Sequence, residues 1–154
     1  MRLTDLVTPK TVILDVRSGT KPEVLAELAG RAACLTRLDR MDIFRALLDQ
    51  EASVPTGLGL GVAMPHARFP ALTAPVALFA KLGRPIEFHA LDQRPVDILF
   101  VLFGPEPATA AYLKLLLSAS RALRDPVVRD ALRKKFDIPS ILTALQDNAA
   151  PASP

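Results

Sequence analysis

The stretch from Pro95 to Pro105, "PVDILFVLFGP", carries six apolar residues without a break, Ile98 to Phe103, between two prolines. A run that short falls below the length of an ordinary helix, and a strand with one wet face would alternate; an unbroken run belongs to a strand buried on both faces. Such a strand requires a covering layer on each side of its sheet. "APVALFAKL", Ala74 to Leu82, reads as a neighbouring strand. "RPIEF" and "RPVDI" recur ten residues apart, but an X-Pro pair favours extended backbone, so two strand entries explain them without an internal repeat.

The covering layers are helical by pattern. From Thr20 to about Leu35, Leu25, Leu28, Ala29 and Ala32 recur at helical spacing, and Thr20 with Glu23 forms a capping box. A second helix starts near Asp39, carries Ile43, Phe44, Leu47 and Leu48 on one face, and stops before Pro55 and Gly57. After the strands, Ala108 to Leu123 places Leu113, Leu116, Leu117 and Leu123 in register. Asp125-Pro126 restarts a short helix through Arg133, and Asp137 caps another across Ile141 to Leu145. Helices, then strands, then helices, in 154 residues of which 50 % are hydrophobic, predict an α/β single-domain sandwich with helices on both faces of the sheet. The domain is expected over residues 1–147, with a mobile tail from 148 to 154 that has nothing to bury. Strand order is left open.

Composition narrows the function. The net charge of +3 comes from 19 basic and 16 acidic side chains, with a cluster from Arg121 to Lys135 that reads as a solvated helical face. Nucleic-acid footprints interleave aromatics, and the chain is 5 % aromatic, so no nucleic-acid partner is expected. One cysteine, Cys34 among alanines and leucines, excludes a disulfide framework within the chain and reads as a small buried apolar residue. "MRLTDLVTPK" lacks the apolar stretch of a signal peptide, and no apolar run approaches the roughly 20 residues that span a bilayer. A cytoplasmic protein with no membrane insertion is expected. With only His66 and His89, a metal site would need carboxylates gathered from distant segments, so neither a metal nor a cofactor is expected. His89, in "EFHALD", reads as an exposed turn residue.

The chemistry concentrates in "PTGLGLGVAMPHAR", Pro55 to Arg68. Gly57, Gly59 and Gly61 form G-x-G-x-G with no lysine or hydroxyl following, which fits neither the dinucleotide fingerprint nor the P-loop. Alternating glycines instead permit unusual backbone conformations and close approach of another chain or of an anion. His66 stands directly behind Pro65. A histidine so constrained keeps one ring nitrogen on a backbone carbonyl and the other as a free lone pair at neutral pH, a nucleophile; a structural histidine closing a turn is the alternative. No G-x-S-x-G elbow or H-E-x-x-H is present.

"QEASVPTGLGLGVAMPHAR", Gln50 to Arg68, resembles the active-site signature of the fructose/mannitol class of phosphotransferase system enzyme IIA domains, R-E-x-x-x-[ST]-T-G-[IV]-G-x-G-[IV]-A-[IV]-P-H-x-[RK]. "RPIEFHALDQRPVDILFVLFGPEP" and "AYLKLLLSASRALRDPVVRDALR" resemble the family's later strands and helix in order and spacing. The chain is most similar to the nitrogen-regulatory branch, PtsN or enzyme IIA(Ntr). The resemblance implies a mannitol-type IIA fold with a mixed sheet, and a histidine at His66 that accepts a phosphoryl group from an HPr-like phosphocarrier. It implies a phosphohistidine intermediate rather than a free-standing turnover enzyme. The phosphorylation state would select regulatory target proteins such as a transporter or sensor kinase.

On that resemblance, amides around Gly57, Gly59 and Gly61 are expected to face phosphate oxygens, Arg68 to steer the carrier or the phosphate, and Glu51 to support the site. Two positions depart from the pattern. Gln50 replaces an arginine, and Tyr112 replaces a second histidine before Leu113. Neither brings positive charge, and a cation about 4 Å from a unit negative charge is worth on the order of 1 kcal/mol in water and a few in a protein-like environment. A degenerate binding module without phosphoryl transfer is therefore the alternative, with a sugar-specific IIA component behind it.

Overall fold

The structure is a computed structural model and describes residues 2–148. In chain order it comprises α1 (Leu3–Leu6), β1 (Val12–Val16), α2 (Lys21–Thr36), α3 (Arg40–Ser53), β2 (Gly57–Gly59), β3 (Val62–Ala63), β4 (His66–Phe69), β5 (Val76–Ile86), β6 (Val96–Pro105), α4 (Ala110–Arg124), α5 (Pro126–Lys134) and α6 (Ile138–Asn148). Of the expected tail, Asn148 closes α6 and the remainder lies outside the described residues.

Helix α2 starts where its capping box places it: the Thr20 hydroxyl accepts the Glu23 N–H at 3.3 Å. Asp39 caps α3 the same way, accepting the Asp42 N–H at 3.1 Å. The sheet is mixed and runs β1-β5-β6-β3-β2, with β4 also on β6. Strand β6 is its spine, antiparallel to β5 and parallel to β3 and β4.

Each of Ile98 to Phe103 is at most 1 % exposed, as the unbroken apolar run requires. Leu99, Val101 and Phe103 enter the core under α2 and α3. Ile98, Phe100 and Leu102 enter the opposite core, with Leu3, Tyr112, Leu115, Leu132 and Ile141. Burying a side chain of this size stabilises the fold by about 1.5–3 kcal/mol, so this strand alone anchors both layers.

Four features differ from expectation. Strand β1, which pairs in parallel with β5, was not among the expected strands, although Val12, Ile13 and Leu14 form a short apolar run between Pro9 and Gly19. Helix α4 is rotated relative to the expected leucine register. It buries Tyr112, Leu115, Ala119 and Leu123, while Leu113 and Leu117 are 54 % and 53 % exposed. Leucines occupy both faces of this helix, and the Tyr112 ring against Gly104, where a Cβ would overlap it, selects the rotation. Cys34 is exposed rather than buried, because two residues past the buried Ala32 a helix has turned about 200°. The basic cluster is not merely a solvated face either. Arg129 is buried and donates to the Leu123 carbonyl at 3.1 Å, one of the acceptors left open where α4 ends; Arg133 is treated below. Among the described residues no helix is long and apolar enough to cross a membrane.

Candidate functional site

His66 opens β4. The Leu102 N–H donates to the Pro65 carbonyl at 3.1 Å, and His66 takes the register position beside Leu102, so the segment is clipped to the sheet's spine. The ring is half-buried. Its Nδ1 lies 3.0 Å from the Met64 carbonyl oxygen. A carbonyl only accepts, so Nδ1 carries the proton and Nε2 bears the lone pair. Ala67 and Phe69 pack toward α2 and α3. By strand alternation His66 and Arg68 therefore face the other side, shared with Leu102, Gly104 and Tyr112.

Met64 is itself held. Its N–H donates to the Thr56 carbonyl at 3.0 Å. The Thr56 N–H donates to Glu51 Oε1 at 3.2 Å, and the Thr56 hydroxyl bonds the same oxygen. Glu51, 7 % exposed on the inner side of α3, is paired with Lys21 Nζ at 2.6 Å. Lys21 also donates to the Phe88 carbonyl at 3.2 Å and lies over that ring. Glu51 thus contacts Thr56 and Lys21 and reaches the His66 segment only through Thr56 and Met64.

Arg68 reaches Glu106, Nε to Oε2 at 3.3 Å. Both line an open groove of about 240 Å³ together with Asp49, Gln50 and Ser53. The structure therefore brings Gln50 and Arg68 to one place. Tyr112 is 1 % exposed, and its hydroxyl is buried with no hydrogen-bond partner among the described residues. Burial pushes its phenol up to about 12, with the Arg68 cation pulling it down and Glu106 adding to the rise. The Tyr112 ring packs on Gly104, the register partner of Arg68, which sets it on the side of the Arg68–Glu106 pair.

The glycines lie elsewhere. Gly59, Leu60 and Gly61 form the β2–β3 turn with φ of 86°, 60° and 82°, a conformation that two glycines relieve of strain. The Leu60 N–H donates to Asp92 Oδ2 at 2.8 Å, and the Leu60 carbonyl accepts from Arg133 Nη2 at 2.7 Å. Arg133 is also paired with Asp97 at 3.0 Å. The Gly61 carbonyl accepts the Asp97 and Ile98 N–H groups. This turn sits at Ile98 of β6 and His66 at Leu102, roughly 13 Å further along the strand at 3.3 Å per residue. Gly59 and Gly61 are therefore not assembled with His66, and Gly57 packs on Ala90. His89 is exposed at a positive-φ position, its ring 3.8 Å from Glu87.

Lys21, Thr56 and Glu106 were not singled out from the sequence. Lys21 sits at the start of a capped helix and meets Glu51 only in three dimensions. The proline on each side of Glu106 marks a turn but no partner.

A mixed sheet between two helical layers is the architecture of a phosphotransferase IIA domain. The family described as "Phosphoenolpyruvate-dependent sugar phosphotransferase system, EIIA 2" matches residues 5–148, and the chain belongs to it. Within that family its similarity runs to nitrogen regulatory members. It is 40 % identical over 145 residues to the nitrogen regulatory protein of Bradyrhizobium diazoefficiens, covering 94 % of this chain and 95 % of that one. It is 39 % identical over 134 residues to that of Pseudomonas aeruginosa, covering 86 % and 87 %. The crystal structure of nitrogen regulatory protein IIA-Ntr from Neisseria meningitidis superposes with a TM-score of 0.88 at 26 % identity, over 93 % of this chain and 98 % of that one.

Proposed function

We propose that this chain is a regulatory phosphocarrier of the nitrogen branch, which takes a phosphoryl group onto His66 from an HPr-like protein and engages its targets according to phosphorylation state. The observation that carries the reading is the Nδ1 contact to Met64, which leaves Nε2 as the nucleophile on a half-buried ring. Nε2 attacks the carrier's phosphorus; the N–P bond forms as the phosphoryl bond to the carrier breaks, and the proton stays on Nδ1, still donated to the Met64 carbonyl. Transfer of this kind rests on positioning and charge stabilisation. Arg68 is the cation at hand, and moving from Glu106 to the phosphoryl oxygens would exchange one anion for another. The unpartnered Tyr112 hydroxyl is a second donor beside it.

The test is incubation with phosphoenolpyruvate, the first enzyme of the relay and the HPr-like carrier. An acid-labile, base-stable phosphate should appear and should be absent from His66→Ala. A second reading, a binding module that no longer transfers phosphate, draws on Gln50 and Tyr112. The groove they adjoin holds one cation, Arg68, and Glu106 already neutralises it. No label under conditions that charge a control IIA would favour that reading. Label passed on to a sugar permease component would favour the sugar-specific one.

A further inference from the structure

We infer that the buried Lys21–Glu51 ion pair sets the tautomer of His66, acting through Thr56 and Met64, so that Lys21 and Thr56 are positioning residues for phosphoryl transfer. The inference rests on the reading of His66 as the phosphoryl acceptor. Four consecutive polar links connect them. Lys21 Nζ meets Glu51 Oε2 at 2.6 Å; Glu51 receives the Thr56 N–H at 3.2 Å and its hydroxyl. The Thr56 carbonyl receives the Met64 N–H at 3.0 Å, and the Met64 carbonyl receives His66 Nδ1–H at 3.0 Å.

An ion pair this deeply enclosed, with Lys21 and Glu51 side chains 14 % and 5 % exposed, contributes little stability that well-packed apolar residues would not. Its effect is directional. The carboxylate grips Thr56 at both the amide and the hydroxyl, which pins its Cα between two peptide units and so places the carbonyl that receives the Met64 N–H. Displacing the Met64 carbonyl releases Nδ1. The ring then relaxes toward the Nε2–H tautomer that a free histidine side chain favours, and in that form the exposed nitrogen is protonated and cannot attack phosphorus.

The test is long-range 1H–15N spectroscopy of the uniformly 15N-labelled full chain, carrying His89→Gln so that His66 supplies the imidazole signals, above the pH at which the ring titrates. The parent should show Nδ1–H. Lys21→Met should shift the ring toward Nε2–H, Thr56→Val should shift it less, and Lys21→Arg should restore the parent spectrum. The rate of His66 phosphorylation should fall by at least about tenfold in Lys21→Met and recover in Lys21→Arg. Folded Lys21→Met and Thr56→Val with the parent's tautomer would overturn the inference. Should Lys21→Met fail to fold, Thr56→Val, which loses a single hydroxyl, decides it. The tautomer is read without any phosphate, so a chain that takes no label still tests this inference separately from the phosphocarrier reading.

Discussion

The two ends of the glycine-to-histidine segment make opposite use of their polar groups. At the Gly59–Gly61 turn, the Leu60 amide goes to Asp92, the Leu60 carbonyl to Arg133 and the Gly61 carbonyl to two amides of β6. At the Pro65–His66 corner the backbone is equally engaged, yet Nε2 of His66 and the hydroxyl of Tyr112 have no hydrogen-bond partner among the described residues. A closed inventory of hydrogen bonds marks a structural turn. An open one, in a half-enclosed place, marks where an external acceptor or electrophile fits. Glycine spacing, the more conspicuous feature in the sequence, thus serves the scaffold, and the open nitrogen of His66 is the feature on which the proposed phosphoryl transfer rests.

The sharpest way to break this contrast is His66→Ala, expected to lose all phosphate label while unfolding within about 1 kcal/mol of the parent, checked by labelling and denaturant titration. Gly61→Ala is expected to act in the opposite way. Its φ of 82° and the overlap of a Cβ with Arg133 should lower stability by about 1–3 kcal/mol, measured by thermal unfolding. If that variant folds normally and takes no label, the glycines return to the phosphate site.

Gln50→Arg should raise the extent of phosphorylation by about tenfold, as a cation added to the groove of Arg68 would; an unchanged extent would show that the groove does not hold the phosphate. The smallest effect is optical. Tyr112 is the one tyrosine and the chain has no tryptophan, so phenolate absorbance reports on it alone. The folded chain should ionise near pH 12 rather than the ordinary 10. Its folded value is raised, so this group's contribution to stability is intact below about pH 10 and is lost between about 10 and 12, as the unfolded chain releases a proton that the folded one keeps. Ionisation near 10 would place the hydroxyl in water.

Much of the architecture was legible because its signals are local. The Thr20 cap, the helix start near Asp39, the restart at Asp125-Pro126 and the doubly buried β6 each depend on residues within one or two turns of one another. The same locality explains what was missed. Strand β1 is an exception, since its run Val12-Ile13-Leu14 is local and only its shortness kept it from reading as a strand. Leu113 and Leu117 matched a helical stripe as well as Tyr112 and Leu115 did, until Gly104 on another element selected between them. Arg129 and Arg133 looked like their solvated neighbours because the groups that hold them, Leu123, Asp97 and Leu60, belong to other segments.

Taken alone, the order of residues determined that one strand must be covered on both faces, where the main helices begin, and that a histidine stands rigidly behind Pro65. Only the tertiary structure decided which polar groups meet: Lys21 with Glu51, Arg133 with the glycine turn, Arg68 with Glu106, and the Tyr112 hydroxyl with no hydrogen-bond partner among the described residues. Caps and hydrophobic periodicity act over a few residues, so they are written along the chain. A buried ion pair or an unpaired hydroxyl depends on which distant elements packing brings together, and short-range patterns carry no record of that.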